Sequence, residues 1–150
     1  MKKEYPTLQK KYDLPKLEDM DKYFQISSIE AKHFLIKEIA EKMNEKVTAF
    51  AMVMEEILSP EAKFSTLHES NTFTTDDKKE VLKIYRKLML NKRNNLMLEL
   101  KYDEKEIAEH IRKLFSDWEE IYPTLRKIIS KMKESWSRDK KTKLELSYFG

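Results

Sequence analysis

The chain is predicted to be all-α: an up-down-up bundle of three long antiparallel helices with an N-terminal segment packed across it. Two observations carry this. The 150 residues hold one Gly, at position 150, and four Pro, too few breakers for the tight turns of a sheet protein. And Ile107, Ile111, Leu114, Trp118, Ile121, Leu125, Ile128 and Met132 recur in alternating steps of four and three. That regular stripe implies a helix of roughly 30 residues, roughly 45 Å long, with one seam to bury against other long helices.

The length suits one domain with a real core, divided as a bundle over 1–137 and a basic linker with an apolar tail over 138–150. Charged residues make up 38%, chiefly Lys and Glu. With no Cys, that is the thermophile trend. Zero Cys excludes disulfides, thiolate catalysis and Cys-ligated zinc or iron–sulfur clusters. No apolar run has the length of a membrane span, and Met1-Lys2-Lys3-Glu4 leads into no secretory core, so a cytoplasmic location is expected and no membrane partner. The net charge of +3 is uneven: acidic over 103–120, basic over 83–93 and 126–143.

In residues 1–27, Tyr5, Leu8, Tyr12, Leu14, Leu17, Met20, Tyr23 and Phe24 are too apolar for a free arm. Pro6 and Pro15 divide the segment, and Pro15 can open a short helix over 16–24. Ser27 or Ser28 is the expected N-cap of a helix running to Leu58. Its stripe is Ile36, Ala40, Met43, Val47, Phe50, Met54 and Ile57. Positions 47–54 are apolar nearly all round, which implies cover on more than one side. Ser59-Pro60 ends that helix, and 61–74 read as a loop pinned by Phe64, Leu67 and Phe73.

Thr75 before Asp76-Asp77 is a helix start. That helix should reach Lys101, with Val81, Ile84, Tyr85, Leu88 and Met89 buried and Leu96 and Leu100 continuing the face. The polar run Asn91 to Asn95 suggests a bend or break. Asp103 caps the organising helix, and Pro123 inside its seam predicts a kink. In the bundle, the basic second long helix meets the acidic start of the third.

Metal chemistry is tested first, because carboxylate-bridged metal centres live in helical bundles. Glu30 and His33 give one Glu-x-x-His. Glu106, Glu109 and His110 have the wrong spacing for a second, so no metal and no cofactor are expected. His68-Glu69-Ser70 lacks anything to orient it, and His68 reads as an exposed loop residue. A Gly-rich nucleotide loop is excluded. The expectation is a non-enzymatic structural or adaptor protein working through a protein partner or self-association. Its candidate contacts are Leu144, Leu146, Tyr148 and Phe149 in the tail, and Phe50, Met52 and Val53 on the helix face. The alternative is a nucleic-acid-binding helical module using Arg126, Lys127, Lys131, Lys133, Arg138, Lys140, Lys141 and Lys143, with aromatics among them.

Two partial resemblances complete the reading. Leu58-Ser-Pro-Glu-Ala62, a short loop and the start at Thr75 look like the helical domain of GINS replication subunits, without that family's small β domain. The paired aromatics Tyr148 and Phe149 resemble peptides that dock on sliding clamps, without their Gln. Neither carries a function to this chain.

Overall fold

The computed structural model describes residues 1–30 and 33–137. Among these the protein is all-helical. Six α-helices pack together: α1 (Tyr5–Tyr12), α2 (Leu17–Phe24), α3 (Leu35–Leu58), α4 (Phe64–Thr72), α5 (Thr75–Leu98) and α6 (Glu104–Ser137), with a 3₁₀ turn at Ile26–Ser28. No described helix is long and apolar enough to cross a membrane.

Helix α6 has 34 residues, and its predicted stripe is the core. Ile107, Ile111, Leu114, Trp118, Ile121, Leu125 and Ile128 are buried and Met132 partly so. Asp103 caps it as expected, its Oδ1 accepting from the backbone N–H of Lys105 at 3.0 Å and of Glu106 at 3.2 Å. Pro123 is exposed, and the helix continues through it.

The N-terminal segment is tied down. Pro6 sits in the first turn of α1, where its missing N–H leaves no bond unmade. The Tyr12 hydroxyl donates to Glu104 Oε2 at 2.7 Å, and the Arg112 guanidinium donates to the Tyr12 carbonyl. Tyr5, Leu14, Met20, Phe24 and Ile26 are all core residues. With its one Gly at the terminus, the chain uses other residues where φ turns positive: Asp13 and Gln25 close α1 and α2, and Phe34 precedes α3.

Four expectations are corrected. Ser27 and Ser28 do not cap α3. Ser27 instead donates its N–H and hydroxyl to Asp21, and α3 begins after Phe34. Residues 61–74 contain helix α4, held to the end of α3 by Ser70 Oγ donating to the Ile57 carbonyl at 2.8 Å. Capping of α5 begins one residue early, at Thr74. Its hydroxyl accepts from Asp77 N–H at 3.1 Å while Asp77 Oδ2 accepts from Thr74 N–H at 2.9 Å. Finally, α5 is unbroken through Asn91 to Asn95, and these two Asn are buried while Leu96 and Leu100 are exposed.

Polar side chains link α5 to α6 in opposite chain directions. Asp77 meets Lys131, Lys87 meets Glu120 at 2.6 Å, Asn91 donates to Asp117 at 3.0 Å, and Asn94 donates to His110 at 2.9 Å. Of the basic run 83–93, Lys87 meets the acids of α6, at Asp117 and Glu120, while Lys83 pairs with Glu80 of its own helix. Lys87 keeps its proton more firmly because Glu120 accepts from it, and Asp77 is held below the usual carboxylate range by Lys131.

Candidate functional site

A cleft of about 510 Å³, lined by both aromatic and cationic side chains, lies between α2, α3 and the second half of α6. Each helix contributes by its periodicity. Trp118, Tyr122, Leu125, Arg126 and Ile129 fall within three turns of α6, so apolar and cationic groups share adjoining faces. Helix α2 supplies Lys22 and Tyr23, and α3 supplies Lys46 and Phe50. The rings pack on one another: Phe50 lies edge-on to Trp118 at 5.7 Å between centroids, and Tyr23 meets Tyr122 at 5.3 Å.

The rim cations are Lys22, Lys46, Arg126 and Lys133, and the lining contains no carboxylate. Among the described residues none of these four lies within 4.0 Å of an acid. Inside, Trp118 is buried and its Nε1–H has no acceptor. A second hollow of about 610 Å³ adjoins across Tyr122, Arg126 and Ser130 and adds Lys127 and Lys131.

The predicted partner residues separate. Phe50 belongs to the cleft, Val53 is half-buried, and Met52 is exposed on a different face beside Glu55 and Glu56. The stretch 47–54 is therefore not covered all round: Val47, Ala51 and Met54 are core, but Met52 meets solvent. Of the basic residues, Arg126, Lys127 and Lys133 are exposed. Lys131 is committed to Asp77 and lies over the Phe73 ring at 5.5 Å. Leu144, Leu146, Tyr148, Phe149, Arg138, Lys140, Lys141 and Lys143 lie outside the described residues.

The histidines differ from their expected places. His33 is exposed. His68 is buried on α4, not exposed on a loop. Its Nε2 donates to the Ser135 carbonyl at 3.1 Å, and its ring lies 4.2 Å from that of Trp136, whose indole N–H donates to Glu69 at 2.9 Å. It secures the end of α6, where carbonyls lack helical partners. His110 is buried and accepts from Asn94 at Nδ1, so its proton sits on Nε2, which has no partner. Burial, with Lys113 nearby, pushes its pKa down to about 4. Among the described residues no group of three His, Asp or Glu is placed to hold a metal ion.

Sequence reasoning missed Tyr23, Lys22 and Lys46 as site residues, because only the packing of α2 against α3 and α6 brings them to Arg126. It also missed an apolar surface at the far end of α5. Phe34, Leu96, Met97, Leu100 and Tyr102 are all exposed there, and Phe34 stacks edge-on with Tyr102 at 4.9 Å. Comparison with known protein families, characterised proteins and solved structures finds no match for the chain.

Proposed function

We propose that the chain is a non-enzymatic structural or adaptor protein, an up-down-up bundle of its three long helices, that acts by contacting another protein or a second copy of itself. The observation that carries this reading is the apolar surface at the end of α5. Leu100 is 79% exposed, Met97 64%, Phe34 61% and Leu96 56%. Exposed apolar residues scattered singly need no explanation, but these gather within residues 96–102, with Phe34 against Tyr102, and such a concentration is what an interaction surface offers. Phe34 strengthens the case. A bulky side chain at φ 56° is strained, by about 1 kcal/mol or more, and here the strain holds its ring out in solvent.

The test is mass by light scattering on the full chain at low and high salt, beside the variant Leu96→Glu with Leu100→Glu. Both positions are exposed, so the variant should keep its helical content. Self-association predicts a multiple of the 18.1 kDa chain mass for the natural sequence and a monomer for the variant. Equal masses for the two remove self-association through this surface. The tail residues Leu144, Leu146, Tyr148 and Phe149 are proposed as a second docking element. Deleting 142–150 should then abolish partner capture while leaving the melting temperature unchanged.

A second reading has its own observation: Arg126, Lys127 and Lys133 are exposed, without carboxylate partners among the described residues, near the aromatic rings of the cleft. This favours nucleic-acid binding as the alternative. It predicts an affinity whose logarithm falls linearly with the logarithm of salt concentration.

A further inference from the structure

The cleft has the dimensions of a small-molecule site. Its volume of about 510 Å³ lies within the roughly 300–1,000 Å³ usual for such sites, which are mostly apolar with a few placed polar groups. The rings of Tyr23, Phe50, Trp118 and Tyr122 form one wall, continued by Leu125 and Ile129.

Its polar groups all point to one sign of ligand. Some cations of α5 and α6 meet acids across the helix pair: Lys87 has Asp117 and Glu120, and Lys131 has Asp77. At the cleft, four cations share a rim with no acid among the described residues. The Trp118 ring lies in the wall of the cleft, while its N–H is enclosed behind that wall and has no acceptor among the described residues. Arg126 adds a planar fork suited to carboxylate or phosphate oxygens, beside walls of low polarity that strengthen the attraction.

We infer that this cleft binds a small amphipathic organic anion, its apolar body against Phe50 and Trp118 and its acidic head held by Arg126 with the rim lysines. A short cleft of about 510 Å³ with one aromatic wall accommodates a single such body. A polynucleotide instead needs a track of successive stacking platforms.

Trp118 is the built-in reporter. The other tryptophan, Trp136, lies at the end of α6 and is removed by Trp136→Phe in the full chain. The probe is sodium decanoate below its micelle concentration, with decanamide as the uncharged counterpart. Decanoate should change Trp118 emission saturably, with one bound per chain, and decanamide should bind at least tenfold more weakly. Arg126→Glu with Lys133→Glu, both exposed, should weaken decanoate at least tenfold with helical content unchanged. Calorimetric titration of the unsubstituted protein should give the same stoichiometry, so the conclusion does not hang on a variant's folding. The inference is overturned by no saturable response, by equal affinity for decanamide, or by charge reversal without effect. It is equally overturned if oligothymidylate displaces decanoate with a steep salt dependence, which would make the cleft a nucleic-acid surface.

Discussion

His110 makes the protein's stability depend on pH in a way that can be worked out from its surroundings. The side chain is buried, its Nδ1 accepts from Asn94, and its pKa falls from 6.5 to about 4, chiefly through burial and then through the charge of Lys113. The folded state therefore holds neutral imidazole over the interval in which the unfolded chain takes up a proton. Stability from this group is complete above pH 6.5 and is lost as the pH falls toward 4. At about 1.4 kcal/mol per pH unit, the loss approaches about 3 kcal/mol. Glu106 and Glu109 line the same hollow and are the nearest groups able to soften it. The perturbation is His110→Gln, which still offers Asn94 an acceptor but cannot be protonated. Urea unfolding followed by circular dichroism across this interval should show the natural protein losing about 3 kcal/mol more than the variant. The comparison matters because carboxylates held low, Asp77 by Lys131 and Glu104 by Tyr12, also withdraw stability in acid. They do so equally in both proteins. Parallel pH profiles would refute the reasoning.

Other perturbations follow from single contacts. Thr74→Ala breaks the capping box of α5 and should cost about 1 kcal/mol, read as a lower urea midpoint with an unchanged slope. Leu114→Ala empties a fully buried position on the α6 seam and should cost about 2–5 kcal/mol by the same measurement. Pro123→Ala restores a backbone donor at an exposed mid-helix site and should stabilise by up to about 3 kcal/mol. A neutral result would mean that the local backbone is already relaxed around the proline.

The seam of α6 was legible because it obeys one rule: every position on it is large and apolar, and no competing stripe exists. On α3 the stripe was legible with one exception: Phe50 is partly buried at the cleft, while Ile39 and Ala51 join the core. Loop residues 61–74 were misread for the opposite reason. Phe64-Ser-Thr-Leu-His-Glu-Ser-Asn-Thr72 has no strong helical stripe, and α4 is held by contacts distant in sequence, Ser70 to Ile57 and His68 to Ser135. A single-sequence pattern cannot supply such partners. The cleft was half visible. Arg126, Lys133, Trp118 and Tyr122 stand on one helix, but the ring of Tyr23 and the amines of Lys22 and Lys46 join them only through the packing of α2 and α3.

Helix α5 is the informative failure. Two stripes compete along it. One continues Val81, Tyr85 and Leu88 into Leu96 and Leu100. The other runs Val81, Ile84, Leu88, Asn91 and Asn95. Hydrophobicity selects the first, but the protein buries the second. The reason lies on α6: Asp117 accepts from Asn91 and forms ion pairs with Lys87 and Lys113, and Asn94 meets His110. A carboxylate this enclosed needs its donors, and burying leucines against it would leave it without them. The helix is thus turned by polar pairing, and Leu96, Met97 and Leu100 face outward as a result. Local pattern and tertiary structure disagree at the place where Leu96, Met97 and Leu100 are exposed together. Such disagreements collect at sites kept for something other than stability, which is why the surface at the end of α5 is the first place to look for a partner.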